Sequence, residues 1–450
     1  MEKPTCPMEK TYRPYDPDQL FLLPPALQDW VPEGHLVHFL SDVVDALDLN
    51  PILVRYEREA RGYPPYHPRM MTKLLLYAYA VGIPSSRKIA QRCEEDLAVR
   101  VLTANQMPDF RTISDFRQRH LDVLTDLFVQ VLQVCQRAGL VKFGVVALDG
   151  TKVRAQASKH KAMSYGRMQT ELPRLEAEVA TLLREAAATD LAEDRQHGAG
   201  ARGDELPAEV AHREQRLARI RAAKAALEAE AQAADPGEPD GPRRGRPRQT
   251  PPGVPPPTAQ RNFTDPDSRI MKDADKAFIQ GYNAQAAVDA QAQVIVACTV
   301  TNQAADAPHA VPVMEQIVRT SGAPPRLLLA DAGYCSDANV TALQAMGSEP
   351  LIATRQQRHG ERLPDAPRGR PPAGLTVRER MQRRVRTQRG RRLYARRKAI
   401  VEPVFGLIKR ARGFRQFLLR GLAKVHAEWT LICLTQNLLT LYRSGRRIPA

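Results

Sequence analysis

The chain has 450 residues, with 66 Lys or Arg against 50 Asp or Glu and a net charge of +16. That length accommodates two or three domains, and the charge points to a large anionic partner, nucleic acid before a membrane surface. The six cysteines are scattered without a Cys-x-x-Cys pair, no long apolar run spans a membrane, and the first residues form no apolar signal region; a soluble protein of a reducing cytosol is expected.

Behind a polar, proline-bearing leader, Leu36 to Leu47 has helical periodicity. Tyr63 to Pro68 reads as extended, because each proline keeps its predecessor out of the helical region. Met70, Met71, Leu74, Leu75, Tyr77 and Ala78 suit a buried helix that Gly82-Ile83-Pro84 ends. Ser85 is then placed to cap a helix carrying Arg87, Lys88, Gln91 and Arg92. Helix, tight turn and short basic helix outline a helix-turn-helix DNA reader, with Arg87 and Lys88 as candidate DNA contacts. A plain helical hairpin with a solvated basic face is the other reading. A further helix starts near Pro108 with Thr112 or Ser114 as its cap, and Leu124, Phe128, Val131, Leu132 and Cys135 mark a core-facing stripe.

Val145 to Leu148 is an apolar, β-branched run that ends in Asp149 and Gly150. It reads as a buried strand delivering a carboxylate at its end, costly to bury unless something positive neutralises it. The pattern recurs at Leu327 to Ala330, which ends in Asp331 with Gly333 close behind. Either copy alone is an ordinary turn signal. Together at one sheet edge they form a hard oxygen donor set of the kind Mg²⁺ takes.

Between them the composition changes. Leu172, Leu175, Val179 and Leu182, then Leu217, Ile220 and Leu227, predict two helices joined by a Gly-rich link, an antiparallel hairpin. Pro236 to Pro257 reads as a linker that cannot pack. Phe278 to Asp289 alternates as a half-buried strand, Val294 to Val300 is a second strand, and Val311 to Val318 is helical. The order strand, strand, strand, helix, strand is that of a ribonuclease H-like fold, which sets Asp149 beside Asp331. The arginine-dense stretch Arg378 to Lys398 implies a phosphate path. Glu402 stands alone as an acid there, with Pro403 starting or kinking a helix. Leu422 to Leu441 is a long apolar helix suited to covering the sheet.

In this order Pro108-Asp109 to Phe116-Arg117, Leu148-Asp149-Gly150-Thr151, Asn262 to Pro266 with Gly281-Tyr282-Asn283, Ala330 to Tyr334 and Val401 to Gly406 resemble bacterial insertion-sequence DDE transposases of the Tyr-Arg-Glu-Lys group. The resemblance implies a metal-binding catalytic triad of Asp149, Asp331 and Glu402, and DNA contacts at Tyr394, Arg397 and Lys409. Arg397 to Glu402 is one residue longer than the usual pattern, and Lys398 restores that step while breaking the first, so the basic position is Arg397 or Lys398. The implied cofactor is a pair of Mg²⁺ ions about 4 Å apart, bridged by Asp149 and replaceable by Mn²⁺. The implied partner is double-stranded DNA, both element ends and target, bound by a homodimer in the bacterial cytoplasm.

The expected fold is α/β. A ribonuclease H-like mixed sheet, a three-stranded meander plus parallel strands flanked by helices, is split over 141–168 and 262–443. An all-α N-terminal DNA-binding domain covers 1–140, and a helical-hairpin insertion with its linker covers 169–261. A metal-dependent nuclease that cuts without joining and a catalytically silent DNA-binding relic are the competing readings. A coiled-coil protein explains the insertion alone.

Overall fold

The computed structural model describes residues 26–57, 65–197, 208–233, 250–273, 275–355 and 365–446. Among the described residues seven α-helices precede the first strand: α1 (Leu36–Asp45), α2 (Asn50–Glu57), α3 (Pro68–Ala80), α4 (Ser86–Glu95), α5 (Leu97–Leu102), α6 (Phe110–Arg119) and α7 (Leu121–Arg137). Pro68 opens α3, where its missing N–H costs nothing, and the His67 ring accepts from the Arg69 N–H at 3.1 Å. Ser85 stands at the N-cap of α4, but its hydroxyl makes no capping bond. Asp109 caps α6 by accepting from the Thr112 N–H at 2.6 Å, so the expected caps Thr112 and Ser114 lie inside the helix. Aspartate wins because its carboxylate also meets the positive end of the helix dipole. Tyr63 and Pro64 of the expected extended segment lie outside the described residues.

Eight strands follow among the described residues: β1 (Val145–Arg154), β2 (Ala162–Ser164), β3 (Gln260–Asn262), β4 (Arg269–Lys272), β5 (Phe278–Asp289), β6 (Ile295–Thr301), β7 (Leu327–Ala330) and β8 (Glu349–Ile352). The main sheet runs β6-β5-β1-β7-β8, with β4 paired to the first residues of β5. β1, β5 and β6 are an antiparallel meander, whereas β7 lies parallel to β1 and β8 parallel to β7. This mixed sheet with flanking helices is consistent with a ribonuclease H-like fold.

Two strand expectations need correction. β1 does not end at Asp149 but continues to Arg154, because β5 pairs with it over its full length. β5 is buried along nearly all of its length, not half-buried; its polar residues Gln280, Asn283, Gln285 and Asp289 face neighbours instead of water. β4 and β8 are short edge pieces with no period of their own to read.

The remaining helices are α8 (Tyr165–His197), α9 (Ala208–Ala233), α10 (Ala310–Ser321), α11 (Asp337–Ala345), α12 (Val377–Arg386), α13 (Gln388–Gly406) and α14 (Leu422–Arg443). α8 and α9 form the expected hairpin around their own core of Leu172, Leu175, Leu217, Ile220 and Leu227. Its Gly-rich link lies outside the described residues, as does the linker up to residue 249. The end of that linker does pack, against expectation. The Pro257 carbonyl accepts from the Gly166 N–H at 3.0 Å, and the β2–β3 ladder clamps the hairpin's base.

α14 is buried all round because it lies between the sheet and the front helices, against β6, α7 and α3. The Asn437 amide bonds both the N–H and the carbonyl of Ile295, each at 2.8 Å, covering the free edge of β6. Buried apolar side chains from Val31 to Leu441 form one continuous cluster, so the front helices share a core with the sheet. Arg412 fastens this junction by donating to the Tyr79 carbonyl at 2.9 Å and the Ile432 carbonyl at 3.2 Å.

Gly82 ends α3 at φ +80°, and a Cβ there would sit 2.5 Å from the Arg412 carbonyl oxygen. Gly82→Ala is therefore expected to destabilise the protein by roughly 1–3 kcal/mol in urea unfolding. Gly34→Ala, with nothing within 4 Å of the added methyl, stays within about 0.5 kcal/mol of wild type.

Candidate active site

The site follows from a mismatch in strand length. β7 pairs with β1 only as far as Leu148↔Ala330, while β1 runs six residues further. The two next residues, Asp149 still within β1 and Asp331 just past the end of β7, thus stand at the same level. β1 regains a neighbour on that side at Arg154, where the Phe417 N–H donates to its carbonyl at 2.8 Å. Between these points the edge of β1 is open. Asp331 turns away as the cap of a short 3-10 turn, Ala332–Tyr334, accepting from the Gly333 N–H at 2.8 Å.

α13 crosses this opening. Its Arg397 donates from Nη1 to Asp149 Oδ2 at 2.7 Å, and both side chains are mostly buried, 10 % and 19 % exposed. Tyr394, one turn earlier, packs its ring under the Arg397 guanidinium at 6.0 Å. Lys398 points away and is exposed. Of the two basic residues that the spacing left open, Arg397 lies in the site and Lys398 on the surface.

Glu402 is exposed, and no hydrogen bond or ion pair is found between it and either aspartate among the described residues. Five residues on a helix amount to a turn of about 140° from Arg397, so α13 cannot offer both side chains to Asp149 at once. No group of three or more His, Cys, Asp or Glu with metal-binding geometry occurs among the described residues. The structure joins Asp149, Asp331 and Arg397 and leaves Glu402 apart.

Pro403 neither starts nor ends α13; it lies inside it. It frees the carbonyl of Ala399, its partner four residues back, and the Gln293 side chain donates to that oxygen at 2.8 Å. After Gly406 the helix widens into a π turn, Leu407–Ala411. Such turns rotate side chains out of helical phase. Here the turn carries Lys409, whose Nζ donates to Thr151 Oγ1 at 2.6 Å and to the Lys152 carbonyl at 2.8 Å, on the open edge of β1.

Arg87 and Lys88 lie apart from this cluster, exposed on α4, with Arg87 over the Phe110 ring at 5.1 Å. The basic stretch forms α12 and α13, and several of its arginines are engaged within the protein. Arg378 donates to the Thr354 carbonyl at 2.9 Å, Arg384 pairs with Glu349 at 2.7 Å, and Arg397 with Asp149. Arg392, Arg396 and Lys398 remain exposed.

A second polar group beneath the aspartates escaped the sequence reading. Asp306 Oδ1 accepts from Asn283 at 2.7 Å, Gln285 at 2.9 Å and Lys152 at 3.2 Å. The buried Tyr334 hydroxyl donates to Gln285 Oε1, and Trp429 Nε1 donates to the Gln285 carbonyl at 2.9 Å. Polar residues recurring in an otherwise apolar β5 were the available signal, and they read as its solvent face.

Burial lifts the Asp149 carboxyl from 3.8 to about 6; Arg397 opposes the rise and Asp331 adds to it. Burial disfavours the Arg397 charge, but Asp149 foremost, with Tyr394 and Asp331, raises its pKa overall. Burial also lowers the pKa of Lys409. A desolvated carboxylate with a second one beside it is an oxygen-only donor set short of positive charge. That fits a hard divalent cation at Asp149 and Asp331.

Comparison with known families gives two matches. A family model described as "Transposase DDE domain" matches residues 250–438, beyond Asp149. One described as "Transposase domain (DUF772)" matches residues 25–119. No curated protein and no solved structure matches the chain.

The raised pKa of Asp149 has a measurable consequence in the metal-free protein. Between its unfolded value near 4 and its folded value near 6, the folded state binds the extra proton, so its contribution to stability declines as pH rises. Asp149→Asn lacks this decline. The stability of the variant minus that of wild type is expected to grow from pH 4 to pH 6, by at most about 3 kcal/mol, and to level off above pH 6.5; urea unfolding across that range measures it.

Proposed function

For this chain, which belongs to the DDE transposases of insertion sequences, we propose a DNA transposase that binds the terminal inverted repeats of its element, cleaves there and transfers the freed 3′ end into target DNA. The observation that carries the proposal is the pair Asp149 and Asp331, delivered by adjacent parallel strands to one open strand edge. The organisation we assign is an end-binding region over 1–140, a catalytic domain over 141–168 and 262–443, and an insertion over 169–261.

Asp149 and Asp331 are the residues that would hold two Mg²⁺ ions, with Mn²⁺ as a substitute. Glu402 is the proposed third ligand, and α13 must move for it to join, since it stands on another face than Arg397. Bound divalent cations would activate a water or a 3′-hydroxyl and stabilise the leaving oxygen of a phosphodiester. The rest falls to the protein's own side chains. Arg397, released from Asp149, holds a DNA phosphate, with Tyr394 keeping its guanidinium in plane. Lys409 anchors the β1 edge and offers charge beside it. Lys398 contacts DNA from the surface, and Arg87 and Lys88 do so from the front helices. Two ends must be brought together, so the working unit is a homodimer on DNA. The proposed location is the bacterial cytoplasm, on the nucleoid; among the described residues no helix is long and apolar enough to cross a membrane.

The test is joining of a labelled element-end oligonucleotide to plasmid DNA in Mg²⁺. Wild type is expected to join, with Asp149→Asn and Glu402→Ala reduced to background while still binding the end. Nicking without joining by wild type would replace this reading with a nuclease, and joining by Asp149→Asn would remove the aspartate from the chemistry.

A further inference from the structure

Two glycines follow the two aspartates, and both have ordinary backbone conformations, so neither is required by its φ. What each meets decides why it is a glycine. A Cβ on Gly150 would lie 2.5 Å from Gln285 Nε2 and 2.8 Å from Asp306 Oδ1. A Cβ on Gly333 would lie 3.0 Å from Asp331 Oδ1 and 3.1 Å from Asp306 Oδ2. One carboxylate, Asp306, fills the space left open by both.

Asp306 sits at the N-cap of a short 3-10 turn, Ala307–His309, yet its side chain caps nothing there. Its Oδ1 is spent on Asn283 and Gln285 of β5 and on Lys152 of β1. Asn283 and Gln285 are fully buried while Asp306 is 23 % exposed, so it is the two amides that are expensive to leave without an acceptor. Asn339 closes the arrangement by donating to the Ala307 carbonyl at 2.7 Å and the Tyr334 carbonyl at 2.9 Å. The turn bearing Asp306 is thereby tied to the turn bearing Asp331.

We infer that Asp306 is a positioning residue, a carboxylate wedged between Gly150 and Gly333 that fixes the spacing of Asp149 and Asp331 for a divalent cation. It rests on the functional reading above only for the identity of those two ligands. The wedge links the paired strands β1 and β5, through Lys152 and through the two β5 amides, to the Asp331 turn at Gly333. Removing its charge leaves Lys152, Asn283 and Gln285 to rearrange, and the gap between the two turns is no longer set.

The test measures Mn²⁺ binding to the full-length protein without DNA by titration calorimetry, with thermal unfolding alongside. Asp306→Asn, nearly isosteric, is expected to weaken Mn²⁺ by about tenfold or more, as loss of a ligand-orienting partner does, while the unfolding midpoint moves little. Asp306→Glu keeps the charge but is too long for the gap, and it is expected to weaken Mn²⁺ as well; full affinity in this variant would mean that charge alone matters and would overturn the inference. Mn²⁺ affinity in Asp306→Asn equal to that of wild type, absent from both, or lost only in step with the fold would also overturn it. Failure of wild type to join DNA ends while these affinities behave as expected would count against the transposition reading and leave the wedge standing.

Discussion

Everything at the site depends on one desolvated carboxylate. Asp149 is held by a strand paired with β5 on one side and β7 on the other. It lies one residue past the last rung shared with β7, where the sheet stops shielding it and water does not fully replace that shield. Arg397 supplies part of the missing charge. Burial still lifts the Asp149 carboxyl to about 6, so a further positive charge beside it would be favoured. A protein selected for stability alone would put a neutral side chain there.

The surrounding structure is arranged to keep that edge open. The long β1 needs a partner beyond β7, and the 415–417 segment supplies one only at Arg154. Lys409 satisfies the unpaired Lys152 carbonyl in between, and it reaches that oxygen because the helix has widened into a π turn by then. Pro403 breaks one helical bond just before, and Gln293, itself held at φ +58°, repairs it from the β5–β6 turn. Behind the sheet, Trp429 of α14 holds the Gln285 carbonyl. The apolar helix that unites the front helices with the sheet thus also supports the polar layer under the aspartates.

The strands that carry the aspartates were readable because each is an apolar run ending in a lone acid, and β5 and β6 because of their length and the turn between them. The end of β1 was not. Its last residues, Gly150 to Arg154, lack an apolar pattern, since their pairing with β5 holds them and their edge is open. Arg397 was visible within a dense basic stretch, but nothing local marks it as the arginine that turns inward. That choice is made by helical phase and by Tyr394 beneath it. Asp306 was invisible for a related reason: its partners are distant in sequence, and a lone Asp in a loop reads as a turn. Sequence periodicity reports which face is buried; it does not report a polar layer assembled from four separate segments.

The central claim is that Asp149 and Asp331 are cation ligands held ready, with Arg397 as the present counter-charge. The most direct measurement is anomalous scattering from crystals grown with Mn²⁺ and an element-end duplex. The account predicts a manganese peak within bonding distance of both aspartates, with Arg397 moved off Asp149 and onto a DNA phosphate. Manganese bound elsewhere, with the Arg397–Asp149 pair intact in the DNA complex, would contradict it.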